Sequence, residues 1–195
     1  GRHAVVAFDG DWSLDAERRD FTMNAIYLDA DGVIFDPLGG QSDLRAGRLR
    51  FVGDATLRLK EDALRIIRYC RFLPHFEKSG VTAEIVNLLR DNALVCADLS
   101  GERIGAELRQ IMVGGDVAAV VGLMGKVQID YYTLGVQFNL SPLGIDKNFD
   151  EMLVQLGWLS GLATIMPVGS ARRLAKRLRL SRIEDRCLAR LDIGI

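Results

Sequence analysis

The chain has little cysteine, and its cysteines are not arranged for disulfides or zinc. Cys70, Cys96 and Cys187 are odd in number and far apart in the sequence. Secreted disulfide frameworks and zinc sites need cysteines in even-numbered or closely spaced sets. The pattern argues against both kinds of site, and we expect three buried, reduced thiols, as is common for free cysteine.

Long apolar runs are also missing. No segment approaches the roughly 20 consecutive apolar residues that span a bilayer, and the first residues lack the charged-then-apolar pattern of a signal peptide. We therefore expect no membrane contact and a cytoplasmic location.

Excess charge of one sign is absent as well. The chain has 25 Lys and Arg residues against 26 Asp and Glu residues, a formal net charge of -1. Any nucleic-acid contact must therefore come from a local cluster of cations. What the sequence does have is length and apolar content, because 195 residues with 49% hydrophobic side chains can bury a sizeable core.

Residues 1 to about 52 have the pattern of a small sheet with tight turns. Apolar strand candidates lie at residues 4–8, 23–28 and 33–35, and Asp31-Gly32 predicts a hairpin turn between the last two. Pro37 and Gly39-Gly40 then end the sheet. Because the chain enters a strand almost directly after Gly1, we expect that it begins inside a domain, with an open strand edge that favours pairing into a homodimer.

From about residue 55 the apolar period changes from two to 3.6, which predicts helices to the end of the chain. The segment 126–147 shows no clear pattern. The predicted fold class is α+β, with a partial, antiparallel-containing sheet followed by an all-α part. The predicted helices are 57–75, 81–93, 101–113, 116–125, 148–163, 169–179 and 181–192.

The helix predicted at 57–75 has two contrasting faces. At about 100° per residue its apolar side chains fall on one arc, which predicts the core face: Leu59, Ala63, Ile66, Ile67, Cys70 and Leu73. The opposite face carries Arg58, Glu61, Asp62, Arg65, Arg68 and Arg71, with Tyr69 and Phe72 interleaved. Its cations are all Arg, whose fork of donors suits phosphates and base edges. Asp62 and Arg65 could present an acceptor and a donor to cytosine or adenine, but an ordinary ion-pair network is an open alternative.

A second cluster consists of Arg18, Arg19 and Asp20, directly before a predicted strand. Charged groups at a sheet edge can hold phosphates and a ribose hydroxyl. A solvated surface turn is equally compatible with these residues alone.

Four motifs in order resemble those of class II tRNA nucleotidyltransferases and bacterial poly(A) polymerases. RRDFTMNA at 18–25 resembles motif B, and DPLGG at 36–40 with Asp43-Leu44 resembles motif C. EDALRIIRYCRF at 61–72 resembles motif D, and GERIGAEL at 101–108 resembles motif E. The order and spacing of the four make the resemblance specific, although each motif alone is weak.

The resemblance implies template-independent addition of CTP and ATP to the 3′ end of tRNA, or of another RNA. It divides the chain into a head part at 1–54, a helical neck at 55–125 and a partial helical body at 126–195. In this family motif D reads the base, which implies that Asp62 and Arg65 contact the base edge. The other implied nucleotide contacts are Arg19, Asp20 (ribose), Arg68 and Arg71, with Arg18, Asn24, Glu61, Glu102 and Arg103 in support. The cations Arg172, Arg173, Lys176 and Arg177 would contact the RNA backbone, with a solvated helix face as an equal alternative.

The sequence departs from the family in one large respect. Motif A, whose paired aspartates hold magnesium, has no counterpart, so we expect the metal ligands to lie outside this chain and the chain alone to transfer no nucleotide. Asp9, Asp11 and Asp15 could suggest a calcium loop, but position 20 is Asp rather than the required Glu, which favours a capped turn.

Two other functions remain open at this point. Poly(A) tailing shares motifs B to D with CCA addition. A non-catalytic nucleotide- or RNA-binding module that kept the motif D helix is the alternative from another class. Intact Asp62 and Arg65 favour CCA addition, because the pair permits two different bases to be read.

Overall fold

The computed structural model describes residues 11–76, 80–141 and 157–192. The chain forms two compact units, Gly1–Ala55 and Thr56–Ile195. The predicted strand at 4–8 and most of the predicted helix at 148–163 lie outside the described residues. Within the described ranges, no helix combines the length and the apolar character needed to cross a bilayer.

The first unit combines short helices with a hairpin. Helix α1 (Trp12–Arg18) begins at Asp11, whose side chain accepts a hydrogen bond from the Ser13 N–H, and a 3₁₀ helix follows at Thr22–Ala25. Strands β1 (Tyr27–Leu28) and β2 (Ile34–Phe35) pair antiparallel, with Tyr27 opposite Phe35. The turn between them takes Gly32 at φ 81°, as the Asp-Gly signal predicts. Helix α2 (Gly40–Ala46) completes the described elements of this unit.

The second unit is helical throughout its described elements. A 3₁₀ helix at Ala93–Asp98 lies between α5 and α6. Side chains of Thr82, Ser100, Asp116 and Ser181 cap α5, α6, α7 and α11, because each accepts a bond from a backbone N–H of the first turn. The helices are α3 (Ala55–Glu61), α4 (Leu64–Phe76), α5 (Ala83–Asn92), α6 (Gly101–Ile111), α7 (Val117–Lys126), α8 (Ile129–Leu134), α9 (Trp158–Ile165), α10 (Ala171–Arg177) and α11 (Arg182–Leu191).

Helix α4 packs against α6 and α7 in the second unit. All six side chains of the predicted core face are buried, which confirms that face. The expectation of an α+β chain is also confirmed, since a two-stranded antiparallel sheet precedes the helices.

Four predictions about local structure were wrong in detail. The helix predicted at 57–75 is two helices, α3 and α4, separated at Asp62 and Ala63. The strand predicted at 23–28 is reduced to Tyr27–Leu28, because a 3₁₀ helix occupies its first residues. Tyr69 is fully buried although its position was assigned to the polar face.

The fourth error concerns cysteine. Cys70 and Cys96 are buried and free, and burial raises the pKa of the Cys96 thiol to about 12. Cys187 lies on α11 and is exposed, so the expectation of a third buried thiol was wrong.

The boundary between the two units falls between residues 55 and 56. The predicted assignments of head, neck and body stay predictions.

Candidate functional site

Arg65 lies in the first turn of α4, and its guanidinium group is buried at the junction with α3. Its Nη1 atom donates to the carbonyl oxygen of Arg58 at 2.6 Å and to Glu61 Oε2 at 3.1 Å. Glu61 also accepts from Arg58 Nη1 at 2.5 Å. Only 8% of the Arg65 side chain is exposed. The break between the helices therefore places the Arg65 guanidinium group against hydrogen-bond acceptors of its own chain.

Asp62 lies in the break itself and is more accessible, with 27% of its side chain exposed. Its Oδ1 atom accepts a hydrogen bond from the Leu64 N–H at 3.1 Å, as a capping carboxylate does. Arg103 Nη2, on α6, lies 2.9 Å from Oδ1 and 2.8 Å from Oδ2. Asp62 is thus oriented both by the helix that it caps and by a guanidinium group from a second helix.

Arg68 and Arg71, one turn apart on α4, share one acid on α6. Arg68 Nε donates to Glu107 Oε1 at 2.9 Å, and Arg71 Nε donates to Glu107 Oε2 at 2.7 Å. The Arg71 guanidinium carbon also lies 4.1 Å from the centroid of the Phe72 ring, a cation–π distance. Sequence reasoning included Glu107 in motif E but assigned it no role, because a partner 36 to 39 residues away leaves no local signal.

Glu102, at the start of α6, is directed toward a different partner. It accepts from Arg179 Nη1 at 2.7 Å. A hydrogen bond from its own backbone N–H lowers the pKa of Glu102, and Arg179 adds to this effect. Arg103, the next residue of α6, contacts the motif D segment through Asp62.

In the first unit, Arg19 is held by Asp15. Arg19 donates to Asp15 Oδ2 from Nε at 3.0 Å and from Nη2 at 2.5 Å, and the Tyr27 hydroxyl donates to the same oxygen at 2.8 Å. The bond from Arg19 holds the pKa of Asp15 below its ordinary value, and the bond from Tyr27 adds to this. Arg18 and Asn24 are exposed, and Asp20 is half-buried with its backbone carbonyl bonded to the Val52 N–H. Asp15 therefore orients Arg19, the residue that was predicted to contact the nucleotide.

The aspartates of the turn before motif B can be placed only in part. Asp11 caps α1 and Asp15 binds Arg19, while Asp9 lies outside the described residues. In the described ranges, no group of three His, Cys, Asp or Glu side chains is arranged to hold a metal ion.

Motif C is a hydrogen-bonded helix start. Asp36 Oδ1 and Oδ2 accept from the N–H groups of Gly40 and Gln41 at 2.7 and 2.9 Å, the first turn of α2. Gly39 takes φ 73°, which favours glycine, and a Cβ atom on Gly40 would lie 2.2 Å from the Thr22 carbonyl oxygen. The Asp-Pro-Leu-Gly-Gly sequence is thus explained by capping and by close approach to the motif B segment.

The basic run near the C-terminus divides into two groups. Arg172, Arg173 and Lys176 are exposed on α10. Arg177 instead donates from Nε to the Thr133 carbonyl at 2.7 Å, and from Nη2 to the carbonyls of Leu99 at 2.9 Å and Ala97 at 3.2 Å. Its guanidinium group satisfies backbone oxygens at the ends of two other segments, which sequence reasoning did not anticipate.

Comparison with known proteins agrees with the motifs. Residues 2–50 match the family model of the Poly A polymerase head domain. The chain is 42% identical over 149 residues to CCA tRNA nucleotidyltransferase 1, mitochondrial, of Homo sapiens, covering 75% of this chain and 34% of that protein. It is 36% identical over 135 residues to the CCA-adding enzyme of Geobacillus thermodenitrificans, covering 69% of this chain and 33% of that protein.

The fold of the chain is also similar to that of a CCA-adding enzyme of known structure. The crystal structure of Bacillus stearothermophilus CCA-adding enzyme in complex with CTP superposes with a TM-score of 0.70 at 26% identity, covering 92% of this chain and 46% of that one. The chain spans about a third of the length of these curated relatives. Four ordered motifs, a matching fold and these identities agree, and the chain therefore belongs to the family of class II CCA-adding enzymes and poly(A) polymerases.

Proposed function

We propose that this chain supplies the nucleotide-recognising part of an RNA 3′-end nucleotidyltransferase that adds CCA to tRNA from CTP and ATP. The observation that carries the proposal is the arrangement at the α3–α4 junction. There an acceptor, Asp62, and a donor, Arg65, lie three residues apart and are each oriented by a partner. The names of the similar proteins, which are CCA-adding enzymes, support the same substrate class.

A donor and an acceptor at this spacing suit two of the four bases. Cytosine and adenine each present an exocyclic amino group beside a ring nitrogen, a donor next to an acceptor. Asp62 would accept from the amino group, and Arg65 would donate to the ring nitrogen. Uracil and guanine present a carbonyl oxygen beside a ring N–H, which places like groups against both side chains. One pair of residues would therefore accept CTP and ATP and reject UTP and GTP.

Arg65 must change partners to do this. Its guanidinium group is mostly covered, and Glu61 Oε2 is its more exposed partner. We expect an arriving base to replace the bond to Glu61, while the bond to the Arg58 carbonyl keeps the group in place. In the absence of nucleotide, Glu61 would therefore accept the Arg65 hydrogen bond that the base accepts on binding. This agrees with the supporting role expected for Glu61.

The remaining predicted contacts concern phosphate, ribose and RNA. Arg68 and Arg71 would contact the triphosphate, while Arg19 and Asp20 would contact the nucleotide and its ribose. Arg172, Arg173 and Lys176, exposed on α10, would contact the tRNA backbone. Nucleotidyltransferases of this family usually need a divalent metal, and we propose magnesium, with ligands outside this chain. A cytoplasmic location is also part of the proposal, although the name of the human relative places that protein in mitochondria.

Equilibrium binding to the 195-residue chain tests this function. We expect CTP and ATP to bind more tightly than UTP and GTP by about tenfold or more, the discrimination of a good bidentate base contact. Binding of ATP alone would instead support poly(A) tailing. Equal affinity for all four nucleotides would contradict base reading by Asp62 and Arg65.

A further inference from the structure

The acid Glu107 joins two cations that the proposed function needs. Only 8% of its side chain is exposed, and each of its oxygens accepts from a different guanidinium group of α4. Arg68 and Arg71 are three residues apart, so that they are neighbours on the helix surface and repel each other. A shared carboxylate between them removes that repulsion and sets the distance between the two groups. We name Glu107, Arg68 and Arg71 the arginine clamp.

The way in which the clamp is bonded matters for what it can bind. Both arginines use Nε, the donor nearest the aliphatic stem, at 2.9 and 2.7 Å. A bond at Nε fixes the plane of the guanidinium group, and an arginine has five N–H donors in all. Taken together, the three side chains of the clamp carry a net positive charge, since they comprise one carboxylate and two guanidinium groups. A ligand with several anionic oxygens complements such a cluster.

We propose that Glu107 is a positioning residue, which holds Arg68 and Arg71 at the spacing required by the phosphates of a nucleoside triphosphate. The proposal rests on the proposed function, since it assigns the site at which the triphosphate of CTP or ATP binds. Two simpler roles compete with it. Glu107 could act only as a counter-charge, or only as a support for the packing of α6 against α4.

Glu107→Asp separates these roles. The substitution keeps the charge but withdraws the carboxylate by one methylene, so that it cannot reach both Nε atoms. The measurement is the dissociation constant of CTP and of CMP for the 195-residue chain, with far-UV circular dichroism and thermal unfolding of the same samples. The ratio of the CTP and CMP affinities isolates the phosphate contacts from the base contacts. We expect this ratio to fall by roughly tenfold, the value of one charge-assisted hydrogen bond, while CMP binding is unchanged.

Two further variants complete the test. Arg71→Lys keeps the cation but removes the Nε donor, so it should lower the same ratio even if Glu107→Asp fails to fold. Glu184→Asp is the matched control, because Glu184 also pairs with an arginine of α6, Arg109, but lies outside the proposed nucleotide site, and it should leave the ratio unchanged.

Other outcomes overturn the proposal in distinguishable ways. If Glu107→Asp leaves the ratio unchanged while Glu107→Gln raises CTP affinity, the acid is a counter-charge only. If CTP and CMP weaken together and in step with the melting temperature, the acid only supports packing. If the wild-type chain binds no nucleotide, the proposed function fails, and the role of Glu107 fails with it.

Discussion

The Thr22 hydroxyl donates a 2.6 Å hydrogen bond to Asp43 Oδ2, across 21 residues of sequence. Asp43 Oδ2 also accepts from Arg50 Nε at 2.8 Å, and Arg48 Nη2 forms an ion pair with Asp43 Oδ1 at 3.1 Å, although only 2% of the Asp43 side chain is exposed. The bond joins motif B to motif C inside the first unit. It shows that two segments singled out for their chemistry also hold each other in place.

Removal of the Thr22 hydroxyl should destabilise the first unit. Thr22→Val keeps the shape but leaves a buried carboxylate oxygen without one of its donors, which costs about 1–3 kcal/mol. Urea unfolding followed by Trp12 fluorescence measures this, with Trp158→Phe as a common background because the chain has two Trp residues. Ser42→Ala, an exposed change beside Asp43, should alter the stability by less than about 0.5 kcal/mol. Equal effects of the two substitutions would contradict a role for the Thr22–Asp43 bond.

The same carboxylate predicts a pH dependence. Burial alone would raise the pKa of Asp43, but hydrogen bonds from Thr22 and Arg50 outweigh it and lower the pKa below its ordinary value. A group with a depressed folded pKa stabilises above its unfolded pKa, here about 4, and this stabilisation is lost as the pH falls through the folded pKa. The stability advantage of wild type over Asp43→Asn should therefore be constant above about pH 5 and shrink below about pH 4. An advantage that does not change across this window would show that Asp43 does not titrate with folding.

Two helical glycines should respond oppositely to alanine. A Cβ atom on Gly101 would lie 1.8 Å from the Arg177 carbonyl oxygen, whereas a Cβ atom on Gly122 would meet nothing within 4 Å. Gly101→Ala should thus cost about 1–3 kcal/mol or more through overpacking, and Gly122→Ala should stabilise α7 by about 0.5–1 kcal/mol. Urea unfolding followed by Trp158 fluorescence compares them, with Trp12→Phe as the common background. Similar tolerance of both substitutions would mean that α6 and α10 do not approach this closely.

Substitution of Arg177 should lower the stability of the chain, whereas substitution of Arg173 should lower its affinity for RNA. Arg177→Ala removes the donor of three backbone carbonyls, so it should lower the unfolding free energy by about 2–3 kcal/mol. Arg173→Ala, an exposed change on the same helix, should leave stability within about 0.5 kcal/mol. It should instead weaken tRNA binding and reduce the salt slope by about 1, as expected for one phosphate contact. Loss of tRNA affinity only in Arg177→Ala would reverse these assignments.

If Arg65 reads the base, its replacement should lower the selectivity of the chain between nucleotides. Arg65→Ala should reduce the discrimination between CTP and UTP by about 1–3 kcal/mol, because the donor to the ring nitrogen is gone. Nucleotide binding to the chain measures this. Arg90→Ala is a suitable control, since Arg90 is an exposed arginine at the end of α5. Unchanged selectivity between CTP and UTP in Arg65→Ala would remove Arg65 from the proposed template.

The break between α3 and α4 shows where the apolar pattern misleads. Leu59 and Ile66 lie on one continuous stripe, so a single helix at 57–75 fits the pattern well. The side chains of this stripe are buried as predicted. However, one helix ends before Asp62, and Asp62 caps the next. The spacing of apolar residues cannot reveal a break that leaves the same face buried. Arg65 was assigned to the charged face opposite the core for the same reason, whereas the junction of the two helices buries it.

The sequence by itself determined the features that depend on neighbours along the chain. The hairpin turn at Gly32, the caps at Thr82 and Ser100 and the buried face of α4 follow from local φ preferences, local hydrogen bonds and helical spacing. Ordered motifs determined the family as well. Only the tertiary structure decided that Glu107 pairs with Arg68 and Arg71, that Arg177 turns inward, and that Thr22 meets Asp43. Each of these contacts joins residues 21 to 80 positions apart, and charged side chains choose such partners only after the packing of apolar faces has brought them together.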